Sequence, residues 1–164
     1  MSYGTYIPFL LKKYGFSLTN TGMIMTVFYI ISGFSMIFAS KLEKIVKLKG
    51  VIAVSYFPLL PLTLALLYFL KNSKILAAII FLFIGFFVLL AAGCVLAHAQ
   101  KEAASKAGTI SGIIQGFTLA MGSLLLIPFG MLADKFGVEY ILILVSLIAF
   151  ICAIYTMKTD LIKE

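Results

Sequence analysis

Apolar residues fall in five unbroken runs, 21–40, 51–70, 75–97, 109–131 and 139–157, separated by short segments in which lysine, serine and glycine collect. Each run is close to the roughly 20 residues that a helix needs to cross a hydrocarbon core. None carries a charged side chain in its middle. The hydrophobicity is continuous, not alternating, and lipid offers the backbone no hydrogen-bond partner, so helices are predicted over the strands of a barrel. A shorter apolar stretch, 2–11, precedes them and reads as the outer end of a truncated helix whose inner half would precede Met1. The pattern predicts an all-α integral membrane protein, a polytopic helical bundle forming a single membrane domain over 1–164.

Composition strengthens this picture: 63% of the residues are hydrophobic and 12% charged. A central Leu, Ile, Phe or Val favours insertion by roughly 0.3–0.6 kcal/mol, whereas a central Lys or Asp opposes it by about 2.5–3.5 kcal/mol. The net charge of +7 would fit a nucleic-acid binder, but all 13 basic residues are lysines of connections or tails, so no nucleic-acid partner is expected. Counted over successive connections, Lys12, Lys13, Lys71, Lys74 and Lys135 fall on one side. Lys41, Lys44, Lys47, Lys49, Lys101, Lys106, Lys158 and Lys163 fall on the other. The positive-inside bias makes the second side cytoplasmic and with it the carboxyl terminus of a multi-pass protein of the cell (plasma) membrane.

The most patterned window lies in the fourth run, where Gly108, Gly112, Gly116 and Ala120 recur every fourth residue and leave one helix face nearly bare. Such a strip lets two helix backbones approach closely in a membrane. It reads either as a helix that slides against a neighbour or as ordinary tight packing. The same helix ends in Gly130-Met-Leu-Ala-Asp-Lys-Phe-Gly137 and the next begins at once, which predicts an antiparallel hairpin. Gly137 suits a left-handed turn position. Asp134 is expected to accept hydrogen bonds from the first amides of the following helix, because a carboxylate at a helix carboxyl end opposes the dipole. Pro58 and Pro61 predict a bend in the second run.

Ionisable groups inside a membrane mark transport paths, and none lies mid-span here. The substrate-path candidates are therefore polar: Gln115, Ser111, Tyr29 and His98. Gln115 is the costliest to leave unsatisfied in lipid and must face protein or a cavity. It reads either as a substrate contact or as an interhelical bond. His98 sits at a span end, where water can reach it. Tyr3, Tyr6, Tyr14, Tyr68 and Tyr140 are placed near interfaces, where amphipathic rings anchor. Cys94 and Cys152 lie inside separate spans with no C-x-x-C partner, so neither a disulfide nor a metal is expected. No nucleophile–base pair or phosphate-binding glycine loop occurs, which argues against an enzyme and against any cofactor.

Three segments in order, Leu96-Ala-His-Ala-Gln, Gly108-Thr-Ile-Ser-Gly-Ile-Ile-Gln-Gly and Gly130-Met-Leu-Ala-Asp-Lys-Phe-Gly, resemble the second half of the major facilitator superfamily. The likeness is to the branch typified by fosmidomycin-resistance efflux proteins. Tyr6-Ile-Pro-Phe-Leu-Leu-Lys-Lys-Tyr-Gly-Phe-Ser resembles the outer end of that family's seventh helix. The resemblance implies the carboxyl-terminal six-helix half with its first helix truncated, and secondary active, efflux-type transport of a small molecule by alternating access. It also implies a partner, either a separate amino-terminal half or a second copy. A non-transporting membrane scaffold or interaction subunit, or an inactive gene fragment, are the alternatives. Where the family has a glycine-bearing basic loop, Ser40-Lys-Leu-Glu-Lys-Ile-Val-Lys-Leu-Lys keeps only Glu43-Lys44 of the acid–base pair, and a solvated basic loop is expected.

Overall fold

The computed structural model describes residues 2–102 and 104–158, the side chain of Ser40 excepted. Lys163, one of the lysines used to assign sidedness, lies outside them. Six α-helices follow in order: α1 (Ser2–Lys13), α2 (Leu18–Tyr56), α3 (Leu59–Asn72), α4 (Lys74–Glu102), α5 (Ala107–Phe136) and α6 (Val138–Lys158), with a single 3-10 turn, Ala104–Lys106, before α5. Five stretches, Leu18–Ala39, Lys41–Asn72, Lys74–Glu102, Ala104–Phe136 and Val138–Lys158, are long and apolar enough to cross a membrane. The 12 residues of α1 are too few to cross one.

Helix boundaries follow local chemistry. Ser17 caps α2, its Oγ accepting from the Asn20 amide at 3.2 Å. The basic segment after Ala39 is not the expected loop. It continues as helix to a kink at Lys47, whose φ of 57° and ψ of 171° leave the helical region. The run Lys41–Val46 contains no glycine or proline to stop a helix, and its Lys, Leu and Glu are strong helix formers. The second apolar run is broken where Pro58, lacking an amide hydrogen, caps α3. Ser73 in extended backbone turns α3 into α4. Gly137, at φ 97°, turns α5 into α6 with its amide bonded to the Ala133 carbonyl at 2.8 Å, in the left-handed region that favours glycine.

The most extensive contact joins α2 and α4. Two glycines of α4 permit it. A Cβ on Gly85 would lie 2.6 Å from the Phe28 ring, and one on Gly93 would lie 3.1 Å from the Met36 backbone. Ser32 Oγ donates to the Gly85 carbonyl at 2.8 Å across the same seam, and Phe28 stacks on Phe81 with centroids 4.4 Å apart. The main core then forms around α1, whose Ile7, Leu10 and Leu11 are buried against Leu66 and Leu70 of α3, Phe81 and Ile84 of α4, and Ile141 and Leu142 of α6. Tyr3 and Tyr6, expected at an interface, belong to this core. Tyr3 Oη is 2.7 Å from Thr63 Oγ1, and Tyr6 donates to the Leu126 carbonyl at 3.2 Å. A second cluster joins Ala39, Leu48 and Val51 of α2 to Leu90 and Cys94 of α4. α5 contributes no buried residue among those described and meets the main core only at its edge, through partly buried Leu126, Phe129 and Ala133.

The two kinds of glycine should therefore differ on substitution. Gly85→Ala forces the Phe28 ring to move and is expected to destabilise the fold by about 1–3 kcal/mol. Gly112→Ala, where a Cβ meets nothing within 4 Å, should cost nothing and stabilise the helix by up to about 1 kcal/mol. Unfolding of the purified variants in detergent measures both.

Candidate functional site

A cleft of about 360 Å³ opens beside α1. Tyr3, Gly4 and Thr5 form its α1 wall, Phe28 and Tyr29 its α2 wall, Val88 and Leu89 its floor on α4, and Ser123 and Leu126 its α5 wall. The buried Tyr3–Thr63 hydrogen bond sets the α1 wall. Phe28 turns into the core, while Tyr29 lies edge-on to it with centroids 5.3 Å apart and remains 56% exposed. Gly4 makes room for that ring, since a Cβ there would sit 2.6 Å from the Tyr29 hydroxyl. None of the lining residues is charged; the polar groups are phenol and aliphatic hydroxyls.

Two of the helices that line the cleft, α5 and α2, present bare faces. On α5, Gly108, Gly112 and Gly116 have open space where a Cβ would stand, and Ser123 lies seven residues past Gly116 on the same face. On α2, Gly22 and Gly33 are equally open, and helical spacing puts Tyr29 on their face. Tyr29 and Ser123, one from each face, both line the cleft. The close packing expected of the glycine strip is thus not made within this chain: its seam is at Gly85 and Gly93, and the strip is uncovered. Ala120, the strip's last member, is exposed as well.

Of the four path candidates, only Tyr29 lines the cleft. Gln115 is exposed on the α5 face with no hydrogen bond among the described residues. Ser111 instead ties α4 to α5, accepting from Gln100 Nε2 at 2.7 Å and donating to the Ala107 carbonyl at 2.7 Å. His98, expected merely to be wetted, faces Glu43: its Nδ1 lies 3.5 Å from one carboxylate oxygen, with Lys101 Nζ 3.5 Å from the other. Glu43 thereby holds the α2 segment after Ala39 to the end of α4.

At the opposite end, Glu139 accepts from Lys13 Nζ at 2.6 Å and from Tyr14 Oη at 3.3 Å. Burial and this carboxylate push the Tyr14 hydroxyl above its ordinary pKa. Asp134 is exposed and makes no hydrogen bond among the described residues, and Gly130 has only the Tyr6 hydroxyl nearby, 4.0 Å from where a Cβ would stand. The acid in the first turn of α6 is Glu139, which bonds Lys13 and Tyr14. Gly4, Thr5 and Ser123 were not singled out as site residues by sequence. Ser123 carried a usable signal, seven residues beyond Gly116 on the glycine face. Among the described residues, no group of three His, Cys, Asp or Glu is placed to hold a metal ion.

The family profile of the Major Facilitator Superfamily matches residues 1–126. The chain belongs to the major facilitator superfamily. It is 26% identical over 136 residues to the fosmidomycin resistance protein of Escherichia coli (strain K12), a match covering 83% of this chain and 33% of that relative. The chain therefore spans about a third of the length of the curated relative it matches. No solved structure matches it. Major facilitator membership, with five helical stretches of spanning length and apolarity, makes this a multi-pass membrane protein of a transporter family rather than an enzyme.

The two tyrosines of the cleft should respond differently to loss of their hydroxyls. Tyr3→Phe removes the buried bond to Thr63 and is expected to cost about 1 kcal/mol. Tyr29→Phe, whose hydroxyl has no hydrogen-bond partner among the described residues, should leave unfolding in detergent unchanged.

Proposed function

We propose that the chain is the carboxyl-terminal half of an efflux-type secondary transporter that carries a small molecule by alternating access. The observation that carries this reading is the pair of open glycine faces on α2 and α5, each contributing a residue, Tyr29 or Ser123, to the same cleft. Apolar burial does not drive helices together in lipid, so bare glycine faces serve close approach by other helices. A second helical body seated on both faces would close the cleft into a path between two halves. Gln115 fits this arrangement, because an exposed amide without a partner is costly in hydrocarbon and inexpensive against protein or a wet path.

The partner is a separate amino-terminal half or a second copy of this chain. Efflux agrees with the resistance for which the bacterial relative is named. The protein resides in the plasma membrane with its carboxyl end in the cytoplasm, on the side where Lys41, Lys44, Lys101 and Lys106 collect. The Glu43 cluster then lies at the inner end of the bundle, and the Glu139 cluster at the outer end.

Co-expression with a six-span amino-terminal half, followed by co-purification and a drug-accumulation assay with fosmidomycin as first probe, tests the proposal. Association and reduced accumulation are expected. Gly112→Leu or Gly116→Leu should weaken association about tenfold, the scale of a 1–3 kcal/mol overpacking cost, with no loss of stability in the chain alone. Association without transport would point to a scaffold, and no association with either a half or a second copy would point to an inactive fragment. Sidedness is tested separately in a background lacking Cys94 and Cys152: a cysteine replacing Ser73 should label only from outside, and one replacing Ser105 only from inside.

A further inference from the structure

At the end of the bundle opposite Glu43, the carboxyl ends of α1, α3 and α5 meet the amino end of α6 around a cleft of about 480 Å³. Its only carboxylate, Glu139, is already engaged by Lys13 and Tyr14. Three further donors on the cleft wall, the Lys71 ammonium and the Tyr68 and Tyr140 phenols, are exposed and have no acceptor among the described residues. Lys13 and Lys71 against Glu139 leave a net charge of one positive unit. The vacant chemistry is that of a singly charged anion with several acceptor oxygens.

What lies beneath these donors distinguishes a lipid from a dissolved ion. On α3, exposed Leu64 sits one turn below Tyr68 and on the same face as Lys71. On α6, Leu144, Leu147 and Ile151 form an exposed apolar track running inward from Tyr140. Leu67 and Phe136 add apolar lining to the cleft itself. A headgroup held at the helix ends would therefore have acyl chains lying along two apolar tracks. We propose that this cleft binds the phosphodiester headgroup of an anionic phospholipid, with Lys71, Tyr68 and Tyr140 as donors and the α3 and α6 tracks as the bed for its chains. The site is separate from the transport cleft and does not rest on the efflux reading.

Native mass spectrometry of the full chain, titrated with phosphatidylglycerol, phosphatidylcholine and inorganic phosphate, tests the site. Phosphatidylglycerol should be retained more tightly than phosphatidylcholine, and inorganic phosphate should not displace it. Lys71→Gln should weaken retention about fivefold, the scale of one lysine near an anionic headgroup, and Tyr140→Phe should weaken it in the same direction. Lys12→Gln, an exposed lysine at the same end that does not line the cleft, should leave retention unchanged. All three side chains are exposed, so unchanged melting in detergent is expected and separates a binding defect from a folding one. Equal losses from Lys71→Gln and Lys12→Gln would overturn the site in favour of diffuse surface charge. Equal retention of the two lipids, or retention of neither, would overturn it too. Displacement by inorganic phosphate would replace the lipid with a free anion.

Discussion

The fold depends on how closely α4 can lie against α2. In lipid there is no hydrophobic gain from bringing two apolar helices together, so their association rests on dispersion and a few polar contacts that require short distances. Gly85 and Gly93 provide that proximity where a Cβ would strike Phe28 or the Met36 backbone, and Ser32 adds a hydrogen bond to the Gly85 carbonyl. The remaining helices take their places from this pair. α1 packs into the main core beside α2, α3, α4 and α6, while α5 touches that core only through partly buried side chains such as Leu126, Phe129 and Ala133. A helix so lightly held presents its opposite face outward.

Charge is arranged by the same solvent. Ion pairs sit at the two ends of the bundle, Lys13–Glu139 at one and Lys101–Glu43, with the His98 ring beside it, at the other, where water and headgroups lower the cost of an ion. Between them, buried hydroxyls satisfy themselves on backbone carbonyls: Ser55 on Val51 at 2.7 Å and Thr63 on Leu59 at 2.7 Å. The cleft beside α1 is lined by neutral groups, with rings and hydroxyls as its polar and aromatic surface.

Much of the architecture was legible because bilayer physics writes itself into composition. Continuous apolar runs, lysine-marked connections and the left-handed turn at Gly137 follow from local rules. The site was less legible. Gln115, Ser111 and His98 were selected as polar groups within or beside apolar runs, yet Ser111 and His98 are engaged at a bundle end and Gln115 stands apart from the cleft. Tyr3 and Tyr6 looked like interfacial anchors because sequence places them near a helix end. Burial against Thr63 and Leu126 depends on which helices surround α1. The basic segment after Ala39 resembled a loop by alignment to a family pattern, but the glycines that would make it one are missing.

The sequence by itself determined that this chain is helical and multi-pass, because each run must satisfy its own backbone in lipid and must keep lysine out of it. It also determined that one face of α5 is bare. Tertiary structure alone decided which bare positions are used. The visually regular strip at Gly108, Gly112 and Gly116 is open, whereas the isolated Gly85 and Gly93 are filled by α2. Periodicity tells which residues share a face; what lies opposite that face is settled only when the helices are packed together.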